Sequence, residues 1–564
     1  MAGCIAHAPG SGGSGQQIDV TIASTPPSPV LLPVSIADKT STVQFTATVS
    51  GTSNHDVSWT LAADLDSTCS TDSLGTISAS GFYTAPSAVN VSPCDVVVNA
   101  QSMADHSAQA QARVRVQVVV AISPQGDSIG QVANRQFIAT VFGTSNQLVN
   151  WQATGDPNVG GGAFDPKNDG LYISPPLPEG TDQASATITA TSQFDVSAVP
   201  ATATMTIKKN DPLGTISNLQ TLASNQCPAD SNGGLADATC YSMTVSCDAI
   251  ADITTYVKVN TASSPVGTVL FLIGSGGNGL YDSYPSWQFG WKTVESVFNA
   301  HFNTVQISFG EPFTTAQPNG WLQGPGGVRR LACRYATIVD WAYNNPKTID
   351  SNSTAKTTAP LCATGNSAGA AAIAYAALDY GLGSTNVPAE FTMIEPTAGP
   401  VMTRLDQGCV CDQNNLGDSV PKCQTLGHPP MCYTPSEAAI VDTAYQEAGQ
   451  TQPTLCTNGL TGTDTTDAKR FQTDSIFSQP SKLMLTPRNT AINARFGALD
   501  MTTGVPQGQA WMNGFGTVLP QACTDDATHA IPDVIDGATD IANDIISGCV
   551  LPPLSRRGTV RPRN

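Results

Sequence analysis

Ser367 lies in Gly365-Asn366-Ser367-Ala368-Gly369, with glycine two positions away on either side. That spacing suits a sharp turn between a strand and a helix. A side chain two residues from the serine would clash there, and glycine has no Cβ. The short apolar run 360–363 precedes the turn, and the helix-compatible run Ala370 to Tyr380 follows it. The chemistry implied is nucleophilic: a hydroxyl projecting from the turn, with the next backbone N–H facing developing negative charge at a helix N-terminus. A second match, Gly126-Asp127-Ser128-Ile129-Gly130, has no helix-compatible run after it and is read as a turn between two strand-rich repeats.

A serine hydroxyl needs a base within hydrogen-bond reach. The chain has six histidines, so the candidates can be taken one by one. His7, His55 and His106 fall in the N-terminal region, and His301 ends a helical run as a packed or surface residue. His428 lies in a cysteine-rich stretch. His529 stands in Asp525-Asp526-Ala-Thr-His529-Ala-Ile-Pro532, just before a helical pattern carrying Val534, Ile535, Ala538, Ile541, Ala542 and Ile545. His529 is the expected base, with His428 as the alternative. Asp500, after Arg495-Phe-Gly497-Ala-Leu, completes the chain order Ser…Asp…His. The competing readings are that Asp500 is a solvated turn aspartate or a helix cap, and that Glu395 is the acid. Oxyanion donors are expected from the N–H of Ala368 and from Gly276 or Gly277. The latter two lie in the run Gly274-Ser275-Gly276-Gly277-Asn278-Gly279. That run lacks the Lys-Ser/Thr of a phosphate loop, so no nucleotide is expected, and the chemistry calls for neither cofactor nor metal.

These side chains need a scaffold. From about residue 240 strand-like and helix-like runs alternate, as in an α/β layer fold. Strands are expected at 269–273, 304–309 and 391–394, and helices at 291–302 and 328–343. Cys240 and Cys247 flank a strand spanning about 23 Å, so each should pair elsewhere. An insertion at about 400–480 carries Cys409, Cys411, Cys423, Cys432 and Cys456 and is read as a stapled lid. Thr434-Pro435-Ser436-Glu437 should start a helix within it. Cys523 and Cys549 bracket the His529 segment and are disulfide candidates. Tyr281, Tyr284, Trp287 and Trp511 line a pocket or pack in the core.

The N-terminal third repeats itself. Phe45-Thr-Ala-Thr-Val-Ser-Gly51-Thr-Ser-Asn54 and Trp59 recur as Phe137-Ile-Ala-Thr-Val-Phe-Gly143-Thr-Ser-Asn146 and Trp151; 137 − 45 and 151 − 59 both give 92. Alternating β-branched residues and frequent turns predict an all-β sandwich per copy, with both tryptophans in the core. Cys69 and Cys94, present in the first copy only, are candidates for a bridge.

At 564 residues the chain holds several domains. A net charge of −19 argues against nucleic acid as a partner. Fifteen scattered cysteines argue for disulfides and an oxidising compartment. The count is odd, which singles out Cys4.

Ala2-Gly3-Cys4 resembles the end of a bacterial lipoprotein signal, which implies lipidation of Cys4, with Met1 an expression or gene-model start. Residues 28–208 resemble a pair of bacterial immunoglobulin-like domains of the BIG2 type, on the repeated signature quoted above. Residues from about 240 to 550 resemble secreted bacterial α/β-hydrolases of the esterase and lipase kind, on the turn at Ser367, Asp500 and His529. Ser275 stands where some of those esterases carry the histidine of an HGGG motif. No cysteine adjoins Ser367 or His529 as in tannase-type enzymes.

The expected architecture is therefore multidomain: a tether over 1–27, immunoglobulin-like sandwiches over 28–119 and 120–208, an α/β-hydrolase domain over 215–550 with a mostly parallel sheet flanked by helices, and a basic tail over 551–564. The resemblance implies a serine carboxylic ester hydrolase outside the cytoplasm, secreted or lipid-anchored. Its β domains would act as spacers or surface-binding modules, and the membrane would be met only through the lipid. Other acyl transfer on the same triad, including polyester depolymerisation, and an inert adhesion protein are the rival readings.

Overall fold

The computed structural model describes residues 17–37, 39–178, 180–229, 235, 237–310, 313, 320–349, 360–383, 390–410, 429–446, 454–460, 466–477, 490–515 and 521–550. Cys4, His7, Cys411, Cys423, His428 and the tail arginines Arg556, Arg557, Arg561 and Arg563 lie outside the described residues. The chain forms two compact units: Met1–Gly126, Phe137–Thr154 and Thr187–Thr204 make up the first, and Asp127–Gln136, Gly155–Ala186 and Met205–Asn564 the second.

The first unit is all β. One four-stranded sheet joins Asp19–Ser24, Thr42–Ser50, Phe82–Thr84 and Thr76–Ile77 in that order; another joins Val30–Pro33, Gln109–Gln117, Cys94–Ser102 and Val57–Ala63. Every second residue of Cys94–Ser102 is buried, as period-2 strands with one inward face require. Asp19–Ser24 corrects the tether expected over 1–27: Val20 is buried and pairs with Val49, so this stretch is a strand. Trp59 packs on buried Phe45 at 6.5 Å between ring centroids, and the repeat gives Trp151 on Phe137 at 6.2 Å. Both tryptophans are half-buried. Cys69 and Cys94 are bonded.

The two units divide the residues 120–208 between them. Polar side chains account for the part held in the second unit. Gly130 N–H donates to Asp211 at 2.8 Å, and Asn134 Nδ2 to Asp474 at 2.7 Å. Asn168 Nδ2 donates to Asp467 at 2.9 Å, and Arg329 to the Val132 carbonyl at 2.9 Å. Gly126–Gly130 is a strand and not the turn expected from its Gly-x-Ser-x-Gly pattern.

The second unit is built on a ten-stranded sheet. Its strands in chain order are β1 (Thr215–Thr221), β2 (Thr239–Ser246), β3 (Ile253–Asn260), β4 (Gly267–Leu272), β5 (Phe302–Phe309), β6 (Leu361–Asn366), β7 (Met393–Thr397), β8 (Ala491–Ile492), β9 (Ala494–Gly497) and β10 (Gln521–Thr524). The spatial order is β1-β2-β3-β5-β4-β6-β7-β9-β10, with β8 pairing on β7. From β5 onward every pairing is parallel, and β1 to β3 close one side antiparallel. The helices are α1 (Gly290–Asn299), α2 (Cys333–Asn344), α3 (Ala368–Leu378), α4 (Pro435–Thr443), α5 (Gly504–Asn513) and α6 (Ile535–Gly548), among shorter ones.

The apolar run at β4 reads as continuous because both faces are covered. Leu270 and Leu272 point into a core with Val339 of α2 and Ala371 and Ile373 of α3. Val269, Phe271 and Ile273 point into another with Val294 and Val297 of α1 and Ile541 and Ile545 of α6. Tyr281 and Trp287 are buried in this second core, and Trp511 packs edge-on against Phe515 in the first.

The helix at Thr434 starts as its sequence demands. Thr434 N–H donates to Glu437 at 2.7 Å, and Glu437 N–H donates to Thr434 Oγ1 at 3.3 Å. Cys240 and Cys247 pair with Cys227 and Cys333, and Cys409 with Cys456. Of the candidates bracketing the His529 segment, Cys549 bonds Cys362 on β6, and Cys523 is disulfide-bonded as well. The Cys362–Cys549 bridge ties the strand before Ser367 to the end of α6 across 187 residues of chain. Replacing both with serine should lower unfolding stability by about 2–5 kcal/mol. Denaturant unfolding of the oxidised protein measures this, and an unchanged midpoint would show that the bridge adds nothing.

Candidate active site

Parallel strands deliver their C-terminal ends to one edge of a sheet, where open α/β sheets bind ligands. Ser367 follows β6, Asp500 follows β9, His529 follows β10, and the glycine run follows β4. All four sites of interest therefore emerge on the same edge.

Ser367 sits between strand and helix with φ 58° and ψ −119°. An L residue at that φ is strained by about 1–3 kcal/mol, so its surroundings must hold it there. Its N–H donates to the Thr397 carbonyl of β7 at 2.9 Å, and its carbonyl accepts from Ala371 at 3.1 Å. The flanking glycines are required by contact. A Cβ on Gly369 would come within 2.5 Å of the Ile273 carbonyl, and one on Gly365 within 3.0 Å of Gly369. Gly274, at the end of the β4 run, passes so close that a Cβ there would stand 3.3 Å from that of Ser367.

Asp500 is fully buried, and its Oδ2 accepts from His529 Nδ1 at 3.0 Å. Asp500 Oδ1 accepts the Thr502 N–H at 2.8 Å. The imidazole is about a quarter exposed. Two stitches bring the acid and base loops together: Ala498 N–H donates to the Thr524 carbonyl at 2.9 Å, and Leu499 N–H to the Ala527 carbonyl at 3.0 Å. Gly497 permits this, since a Cβ there would lie 2.3 Å from the Thr528 carbonyl. Asn366, next to the serine, donates from Nδ2 to the His529 carbonyl at 3.1 Å. The segment carrying the base is thus bonded to the residue before the nucleophile.

A carboxylate accepts and cannot donate, so the proton between Asp500 and His529 belongs to Nδ1. Nε2 is then left as a lone-pair acceptor, the form a general base needs.

Of the expected oxyanion donors, the Ala368 N–H opens α3 and has no protein acceptor among the described residues. Gly277 is corrected: its N–H donates to the Gly274 carbonyl at 3.1 Å, closing the turn. The N–H groups of Ser275 and Gly276 are left without a protein acceptor among the described residues. The turn is fixed in place, with the Gly276 carbonyl accepting from Trp321 at 2.8 Å and the Gly277 carbonyl from Phe309 at 3.0 Å.

Other candidates fall away from the site. His301 is an exposed residue at φ 67° after α1. Asp525 and Asp526 are exposed. Glu395 is fully buried on β7, its Oε1 3.7 Å from Arg495 Nε, and Arg495 also pairs with Asp540 and Asp544 of α6. The sequence reading missed Asn366, Thr502 and Gly504. The pattern Asp500-x-Thr502-x-Gly504 was visible as a polar turn, but nothing in it pointed to the imidazole.

No protein-family pattern and no curated protein matches this chain. Among solved structures, it is similar to brefeldin A esterase, described as a bacterial homologue of human hormone-sensitive lipase, at 12% identity over 55% of this chain and 76% of that one, with a TM-score of 0.35. It is similar to a dienelactone hydrolase from Anabaena variabilis at 14% identity, over 55% and 96% of the two chains, TM-score 0.29. An acetyl xylan esterase from a Thermoanaerobacterium species gives 11% identity, 58% and 87%, TM-score 0.32. The functional reading below rests on the site's own geometry.

Glu395 supplies a test of the sheet's buried electrostatics. Burial first, and then the neighbouring Asp544, push its carboxyl well above the usual glutamate range. The folded chain therefore keeps a proton that the unfolded chain releases above about pH 4.5. Stability should fall as pH rises from there towards the folded-state value, by up to about 1.4 kcal/mol per pH unit. Glu395→Gln, which fixes the neutral form, should flatten that slope in denaturant unfolding followed against pH. An unchanged slope would mean that Glu395 is ionised in the fold.

Proposed function

We propose that the second unit is a serine carboxylic ester hydrolase of the α/β-hydrolase kind, working through an acyl-enzyme. The observation that carries the reading is the buried Asp500 bonded to His529 Nδ1, on the sheet edge where Ser367 is held at a strained positive φ.

In this mechanism His529 Nε2 takes the Ser367 proton as Oγ attacks the ester carbonyl. Asp500 holds the imidazole in the correct tautomer and stabilises the imidazolium. The Ala368 N–H, with Ser275 or Gly276 as the second donor, receives the charge on the carbonyl oxygen. The imidazolium then protonates the departing alcohol. Water, activated by the same nitrogen, releases the acid and regenerates the serine.

The β-rich repeats we read as immunoglobulin-like modules that space or attach the catalytic unit; the repeated Phe–Trp packing supports that kinship. Five disulfides between described cysteines support an extracytoplasmic setting. Among the described residues no helix is long and apolar enough to cross a membrane.

Ser367→Ala should lower kcat on p-nitrophenyl esters by at least about 10⁴-fold while the protein keeps its wild-type circular dichroism. Asp500→Asn should cost at least about 10³-fold. Turnover retained by the folded Ser367→Ala variant would end the reading.

A further inference from the structure

The imidazole of His529 has a second partner. Thr502 Oγ1 lies 2.8 Å from Nδ1, as near as the Asp500 carboxylate at 3.0 Å. Because Asp500 requires the proton to be on Nδ1, the threonine oxygen can only accept it. The same oxygen accepts the Gly504 N–H at 3.1 Å, and the Thr502 N–H donates to Asp500 Oδ1 at 2.8 Å. Asp500, Thr502 and Gly504 thus form two consecutive side-chain-to-backbone turns that present a carboxylate and a hydroxyl oxygen to one ring nitrogen. Gly504 completes the seat: a Cβ there would stand 2.8 Å from His529 Cε1 and 3.0 Å from Nδ1.

We infer that Thr502 is a positioning residue for the general base, its hydroxyl sharing the Nδ1 proton with Asp500. The inference rests on the hydrolase reading above and adds to it. A forked acceptor fixes the ring's rotation about its long axis more tightly than one oxygen can. It also acts selectively. When Ser367 gives its proton to Nε2 the ring becomes a cation, and its Nδ1–H donates more strongly. The hydroxyl oxygen therefore stabilises the charged ring more than the neutral one, which lowers the barrier without tightening substrate binding. Among the described residues, Asp500 is the charged group bonded to this ring.

The test uses the full chain and p-nitrophenyl esters, with Ser367→Ala as the reference for lost chemistry. Thr502→Val keeps the backbone N–H to Asp500 and the side-chain volume but removes the oxygen. It should lower kcat about tenfold with KM unchanged, and move the acid limb of the kcat/KM profile down by about half a pH unit. Thr502→Ser, which retains the hydroxyl, should recover most of the loss. Thr502→Ala serves as the second removal if the valine variant folds poorly. A Val or Ala variant with wild-type kcat and an unmoved acid limb would overturn the inference. So would a Thr502→Ser variant as impaired as Val. Activity persisting in Ser367→Ala would instead remove the hydrolase reading on which it stands.

Discussion

A carboxylate withdrawn from water is tolerable only where donors meet it, and Asp500 has no exposed surface. Its donors include a backbone N–H two residues on and the imidazole of His529. Much of the local structure follows from meeting that need. The loops after β9 and β10 must run side by side, which is why Gly497 has no room for a side chain. The imidazole must lie against the start of α5, which is why residue 504 has none either. A side chain at either position would part the acid from the base.

The serine is positioned by a different physics. It reaches the same edge because β6 runs parallel to β4, β7 and β9, and it is held at an unfavourable φ by the strands beside it. The cost of that φ is met by packing: α3 is buried along its whole length, and the residues of β4 are covered on both faces. Asn366 links the two systems, bonding the turn before the nucleophile to the segment of the base. A rigid turn and a buried carboxylate, each unfavourable alone, are stabilised by one shared sheet edge.

What could be read beforehand follows the range of the interactions involved. Gly365, Ser367 and Gly369 obey a local steric rule, and the capping box at Thr434 is a local hydrogen-bond exchange, so both were legible. The pairing of Asp500 with His529 was legible through chain order and the scarcity of histidines. Cys549 was legible as a disulfide candidate, but its partner Cys362 was not, because the two lie 187 residues apart and meet only through the fold. Gly277 was expected to offer its N–H, but the turn uses that group internally. Asp19–Ser24 was hidden because one short strand beside a Gly/Ser-rich stretch has little pattern of its own. Thr502 was invisible for a similar reason: its partner lies 27 residues along the chain.

The central claim is that the Ser367 hydroxyl is activated by the His529 imidazole. The most direct measurement is the rate and site of covalent labelling by a fluorophosphonate, followed by mass spectrometry of the intact protein and of its peptides. The account predicts one adduct per chain, on Ser367, with a labelling rate that falls by several orders of magnitude in His529→Ala. An adduct on another residue, or a Ser367 adduct formed equally fast without the imidazole, would contradict it.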